Sequence, residues 1–228
     1  MAEAFPEKVG SGFSSGNAAT QKSDGVAGHY LKMPHAEKGM TIGLFGGSFN
    51  PPHGGHLLLA EIALRRLNLD QLWWIVTPGN PLKDSRELAP LAERLAACET
   101  IAENLRIKIT AFEAAHNIRY TADTLKLVQE RNPGVRFIWL MGADNLANFH
   151  KWQRWRHIAE TFPIAVIDRP GSTLSYLSSK LAKTYDYARI DEDDAQALGR
   201  HKAPAWTFIH GPRSSLSSTA IRKARQAE

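Results

Sequence analysis

From Thr41 onward the chain alternates between short, densely apolar runs and longer stretches whose apolar residues recur at helical spacing. The runs at 41–45, 71–76, 105–109, 136–140, 164–167 and 206–209 predict strands. The spacing between them predicts helices over 54–68, 89–103, 121–131, 151–160 and 218–226, with Asn132-Pro133-Gly134 stopping the third. Such alternation predicts a single α/β domain, a parallel sheet with helices on both faces. In sheets of this kind ligands bind beyond the carboxyl ends of the strands. The loops after Phe45, Val76, Leu140 and Ile209 therefore converge on one candidate site.

Two stretches fall outside this rhythm. Residues 1–39 are rich in Gly, Ser, Ala and Lys, carry no sustained period and hold no apolar block long enough for a secretory signal. They read as a flexible tail ahead of a domain at 40–228, or, since Met33 and Met40 both precede the first strand, as an artefact of start-codon placement. The stretch 171–203, with serines and the acidic piece Asp191 to Asp194, reads as a variable excursion.

Composition narrows the field. The chain has 228 residues and is 43% hydrophobic and 9% aromatic, enough for a sizeable core. Its longest apolar stretches, such as Leu57 to Ala60 and Leu72 to Val76, fall far short of the ~20 residues of a membrane span. Cys98 is the one cysteine. It rules out an internal disulfide and fits a reducing cytoplasm, and its helical spacing with Leu91, Leu95 and Ala102 marks a small core residue. The net charge of +5 belongs wholly to residues 41–228, because four lysines and four acids cancel before them. A basic body suits anionic ligands, and its scattered charges fit nucleotides and phosphates as well as nucleic acid.

The segment with most chemistry is Gly46-Gly47-Ser48-Phe49-Asn50-Pro51-Pro52-His53-Gly54-Gly55-His56. A helix starting near Pro52 or His53 turns its free amides and the positive end of its dipole toward an anion. His53 and His56 then lie one turn apart on the same side, with two further donors. Gly46 and Gly47 are expected to take positive φ and to admit a bulky phosphate. Near the other end, Leu216-Ser217-Ser218-Thr219-Ala220-Ile221-Arg222 puts hydroxyls ahead of a basic helix. That is either a serine N-cap or a second anion clamp.

Weaker signals sit nearby. Thr77-Pro78-Gly79-Asn80-Pro81-Leu82-Lys83 is a rigid turn carrying an amide and a cation. Met141-Gly142-Ala143-Asp144 reads as a loop with a carboxylate for a ribose or an adenine amine, or as a helix N-cap. Trp152 and Trp155 lie three apart on the predicted 151–160 helix, as core residues or with one stacked on a flat ligand. Tyr120-Thr121-Ala122-Asp123 opens a helix whose amides suit a carboxylate, unless Thr121 is simply its cap.

The His53-x-Gly55-His56 loop followed by Ser217-Ser218-Thr219-x-Ile221-Arg222 resembles the nucleotidyltransferase superfamily and, within it, the bacterial nicotinate-nucleotide adenylyltransferases, over about residues 40–226. The resemblance implies a Rossmann-like doubly wound sheet and adenylyl transfer from ATP to nicotinate mononucleotide, giving deamido-NAD and pyrophosphate. By position it implies that Gly46, Gly47, Ser48 and Phe49 cradle ATP, that His53 and His56 bind its phosphates, and that Ser218, Thr219 and Arg222 hold the departing ones. It implies Asp144 on the ribose or adenine side, Trp152 on the pyridine ring, Tyr120 and Thr121 on its carboxylate, and Asn80 and Lys83 on the mononucleotide phosphate. Magnesium is expected, held mainly through ATP phosphates with no protein ligand. Where many relatives carry Asp this chain has Asn50, and Leu82 stands where many have histidine.

Two neighbouring activities, phosphopantetheine and nicotinamide-mononucleotide adenylyl transfer, share the histidine chemistry. A non-catalytic nucleotide-binding or RNA-binding module is the alternative from another class, and intact His53, His56 and Arg222 count against it. The expected partners are ATP and nicotinate mononucleotide, with neither nucleic acid nor membrane. All of this requires the early histidines and the late hydroxyl-guanidinium group to meet in space.

Overall fold

The computed structural model describes residues 25–79, 88–169, 175–212, 214 and 216–226. Six strands, β1 (Thr41–Gly47), β2 (Gln71–Val76), β3 (Ile107–Thr110), β4 (Arg136–Gly142), β5 (Ile164–Ile167) and β6 (Trp206–Ile209), form one sheet in the order β3-β2-β1-β4-β5-β6. Every pairing is parallel. The order reverses between β1 and β4, which pair from Thr41 opposite Arg136 to Phe45 opposite Leu140. That reversal opens a crevice at the carboxyl ends of β1 and β4, where doubly wound sheets bind ligands.

Period-two alternation sorts the strand residues between two cores. Phe45, Trp74, Val76, Ile138 and Leu140 pack with Leu59, Ala63 and Leu95 of α1 (Gly54–Arg66) and α2 (Leu91–Ile101). Leu44, Trp73, Ile75, Trp139 and Met141 pack on the other face with α4 (Thr121–Arg131), α5 (Ala143–Phe149) and α6 (Trp155–Thr161). Both faces are covered, so strands such as Leu72–Val76 can be continuously apolar and fully buried. Cys98 lies in the first core, where burial pushes its thiol up to about 12 and leaves it a packing residue.

The differences from the sequence pattern have local causes. β3 begins at Ile107 because Asn104 folds the chain back: its side-chain oxygen accepts from the Arg106 amide and its carbonyl from Ile107, leaving Leu105 outside. The helix expected over 151–160 begins only at Trp155, after Arg154 takes a left-handed φ of 56°. Trp152 therefore lies in the turn that ends α5. Met141 and Gly142 belong to β4 and Ala143 opens α5, where a loop was expected. A short α3 (Phe112–Ala115) went unseen.

The 171–203 excursion contains α7 (Lys180–Thr184) and several 3-10 turns, and it buries Tyr176, Leu181, Tyr185 and Leu198. Residues 25–40, assigned to the tail as far as 39, pack on the domain. Tyr30 is buried, and its carbonyl accepts from the Ala111 amide and the Thr110 hydroxyl. Among the described residues no helix is long and apolar enough to cross a membrane.

One buried cation ties this scaffold to the crevice. Arg94, 2% exposed on α2, donates to the carbonyls of Ser48 (2.7 Å), Thr77 (2.8 Å) and Ala89 (2.9 Å), clamping the loops after β1 and β2 together. Burial lowers its pKa to about 10, still charged at neutrality. Arg94→Met leaves those carbonyls without their donor and is expected to lower unfolding stability by about 3 kcal/mol. A denaturation midpoint equal to that of the parent chain contradicts the clamp.

Candidate active site

The loop between β1 and α1 is shaped by aromatic packing. A Cβ on Gly46 would stand 2.8 Å from Cη2 of Trp139, and one on Gly47 3.1 Å from Cε2 of Phe49. Neither glycine takes positive φ; that conformation falls on Phe49, at 45°. The reason for the glycines is thus close aromatic contact, not the left-handed backbone expected of them. Phe49 is 1% exposed, stacks on Trp74 at 5.1 Å and lies 5.0 Å from the His56 ring. Its ring anchors the loop on the first core.

The two histidines cap α1 reciprocally. His53, the N-cap, accepts from the Gly55 amide through Nδ1 (3.1 Å), while Nδ1 of His56 accepts from the His53 amide (3.2 Å). An Nδ1 that accepts carries no proton, so each neutral ring presents Nε2–H as donor. The ring centroids are 3.9 Å apart. Burial, then the nearby Arg169 guanidinium, hold His53 down at about 4, against a smaller opposing pull from Asp144. At neutral pH His53 is an uncharged donor.

The late motif reaches the same loop. The Ser218 hydroxyl donates to the Pro51 carbonyl (2.9 Å) and Arg222 Nη1 to the Asn50 carbonyl (2.6 Å). Ser217 serves as the cap, its hydroxyl oxygen accepting from Ala220 (3.2 Å) at the start of α8 (Ser218–Gln226). Thr219 is exposed beside them. Groups about 170 positions apart in sequence thus build one structure. Asn50 is buried and its side-chain oxygen accepts from the Ala89 amide, so the position acts as a latch between loops.

Sequence reasoning missed Arg169 as well as Arg94. Arg169 follows β5, pairs with Asp144 in the first turn of α5 (3.7 Å) and donates to the Gly55 carbonyl (3.2 Å). Its signal was available: a cation two residues past a strand's carboxyl end. For Arg94 the signal was a charge inside the apolar stripe Leu91, Leu95, Cys98. Asp144 is brought to the site through Arg169.

Where the mononucleotide was expected, α4 leads from the carboxyl end of β3 back to the start of β4, so its N-terminus lies at the carboxyl end of the sheet. Its N-cap is Tyr120, whose side chain makes no capping bond, so Thr121 is the first helical residue and not the cap. Asp123, a like charge for a carboxylate ligand, is engaged by Arg154. Trp152 is half-buried, edge-on to Trp139 (6.1 Å) and Phe149 (5.4 Å). Through Trp139 it is two contacts from Gly46. Asn80 and Lys83 lie outside the described residues. Among the described residues no group of three or more His, Cys, Asp and Glu side chains is disposed to hold a metal ion.

A parallel sheet with this loop at its reversal is the frame of a nucleotide-binding transferase, and known proteins bear this out. The model of the cytidylyltransferase-like family matches residues 44–224, and the chain belongs to that family. A relative from Mesorhizobium japonicum, described as "Probable nicotinate-nucleotide adenylyltransferase", is 77% identical over 191 residues, 84% of this chain and 98% of its own. One of the same description from Brucella abortus is 72% identical over 82% of this chain and 96% of its own. Among solved structures, Plasmodium falciparum nicotinic acid mononucleotide adenylyltransferase complexed with APC shares the fold at a TM-score of 0.58 and 20% identity, covering 81% of this chain and 83% of that one.

The capping geometry predicts a spectroscopic result. In nitrogen-resolved NMR, His53 is expected as the Nε2–H tautomer, titrating near 4 in the folded chain. Since the unfolded ring protonates near 6.5, the unfolded state binds more protons between those values, and stability contributed by this residue is lost as pH falls through that window. A His53 resonance titrating at the ordinary histidine pKa contradicts the assignment.

Proposed function

We propose that this chain transfers the adenylyl group of ATP to nicotinate mononucleotide, releasing pyrophosphate and deamido-NAD, a step of NAD biosynthesis. The observation that carries the reading is the junction of Ser218 and Arg222 with the Asn50 and Pro51 carbonyls, three and two residues before His53. It supports a single triphosphate held from both motifs. The high-identity relatives carrying that activity in their description support the choice of acceptor.

In this reading an oxygen of the mononucleotide phosphate attacks the α-phosphorus of ATP as the bond to pyrophosphate breaks on the opposite side. A phosphate monoester is already ionised near neutrality, so the enzyme needs no strong base. Its work is positioning and charge stabilisation. His53 and His56 donate Nε2–H to phosphate oxygens, and a neutral imidazole suits that role because it keeps its proton. Gly46, Gly47, Ser48 and Phe49 offer backbone to the nucleotide, while the amides of Ser218 and Thr219 at the start of α8, the Thr219 hydroxyl and Arg222 receive the departing phosphates. Asp144, steadied by Arg169, takes the ribose or adenine side. The described residues do not assemble a metal cage. Magnesium, arriving on the triphosphate, would supply charge neutralisation there and is assigned no protein ligand.

For the acceptor, Trp152 stacks on the pyridine ring, and the α4 N-terminus at Tyr120 and Thr121 receives its carboxylate. Asn80 and Lys83 are proposed for its phosphate. Nicotinamide mononucleotide lacks that charge and leaves those donors poorly matched.

Two measurements test this. His56→Ala is expected to lower kcat by about 100-fold or more with little change in ATP affinity; near-normal turnover with poor ATP binding contradicts the role. Pyrophosphate release with ATP and a panel of nicotinate mononucleotide, nicotinamide mononucleotide and phosphopantetheine is expected to favour the first. Equal use of the two pyridine mononucleotides discards the carboxylate role of Tyr120 and Thr121.

A further inference from the structure

Glu113 is a carboxyl group that the proposed chemistry does not use. It is buried on α3 and accepts a hydrogen bond from the hydroxyl of Thr124, which is 1% exposed. The Thr124 hydroxyl has a second acceptor in reach, the Tyr120 carbonyl at 3.4 Å. Tyr120 is the N-cap of α4, and its carbonyl belongs to the same peptide unit as the Thr121 amide. Glu113, Thr124 and that peptide therefore form one chain of polar groups ending at the candidate carboxylate site.

The hydroxyl has one proton to give, and counting it separates two states. With Glu113 ionised, Thr124 donates to the carboxylate. With Glu113 protonated, the carboxyl O–H donates to Thr124 Oγ, and the threonine proton turns to the Tyr120 carbonyl. That carbonyl already accepts from the Asp123 and Thr124 amides (2.9 and 3.2 Å). A third donor polarises the peptide further and makes Thr121 N–H a better donor to an anion. The ionised state instead keeps a buried negative charge behind the site. Burial pushes Glu113 up to about 7, with the Thr124 hydroxyl pulling the other way, so both states lie within reach of neutral pH.

Resting on the functional reading above, we infer that Glu113 is a proton-linked positioning residue for the acceptor's carboxylate: acting through Thr124 on the Tyr120–Thr121 peptide, it takes up a proton when that anion binds. The Asp, Glu, Lys, Arg and His side chains on the elements around it are His116 and Arg119 on the connection to α4; Asp123 with its partner Arg154, Lys126 paired with Glu130, and Arg131 on α4; and His29, Lys32, His35, Glu37 and Lys38 on residues 25–40. The proton is drawn from solvent and returns when product leaves, so no other reactant is needed.

Calorimetric titration of the full chain at pH 8, in buffers of different ionisation enthalpy, reads that proton directly. Uptake approaching one proton is expected with nicotinate mononucleotide and none with nicotinamide mononucleotide, which carries the same phosphate. Glu113→Gln, which mimics the protonated group, abolishes the uptake. KM for nicotinate mononucleotide in the parent is expected to rise about fivefold from pH 7 to pH 8 and to stay flat in E113Q, with kcat unchanged. Thr124→Val, which keeps the carboxyl but cuts the chain, weakens nicotinate mononucleotide binding and spares ATP binding. Equal uptake by parent and E113Q, no uptake by the parent, or undiminished acceptor binding by T124V overturns the inference while turnover stands. A parent that turns over neither pyridine mononucleotide overturns the functional reading and this inference with it.

Discussion

The site depends on how the backbone carbonyls of Ser48, Asn50 and Pro51 are occupied. Arg94 binds the carbonyl of Ser48, Arg222 that of Asn50 and the Ser218 hydroxyl that of Pro51, while the Asn50 side chain takes the Ala89 amide. A glycine-containing loop left to itself would spend conformational entropy on every ligand it ordered. Here two guanidinium groups and a hydroxyl, from α2 and α8, hold it beforehand. These three carbonyls are committed to protein donors.

The same economy governs charge. His53 is kept neutral by burial and by Arg169, so the pair of rings presents hydrogen-bond donors whose tautomer is fixed by the helix cap itself. In the function proposed above, capping and ligand binding use opposite nitrogens of the same imidazoles, so a local folding signal and a functional one coincide at His53-x-x-His56. The permanent cations, Arg169 and Arg222, are bonded to the Gly55 and Asn50 carbonyls, one after His53 in the chain and one before it. Their positive charge persists at pH values where His53 carries none.

Much of this was legible in the residues. Apart from the one expected over 105–109, the strand runs keep their places because continuous apolar sequences of that length have no other way to be buried, and the glycine-histidine loop announces itself by strand before and helix after. What the pattern could not carry was decided by tertiary contact. Gly46 is set by a tryptophan on another strand, and Trp152 is released from its expected helix by the left-handed turn at Arg154. Tyr30 is ordered by β3's edge, a partner that composition alone does not reveal. Arg94 and Arg169 escaped because a single charge beside apolar residues reads as solvated until the carbonyls facing it are known.

The central claim is that one triphosphate bridges the early imidazoles and the late hydroxyl-guanidinium group. A crystal structure of the chain with a non-hydrolysable ATP analogue tests it most directly. The account predicts phosphate oxygens within hydrogen-bond reach of His53 or His56 and, on the same molecule, of Ser218, Thr219 or Arg222. A triphosphate bound away from the crevice between β1 and β4, or touching only one of the two groups, would contradict it.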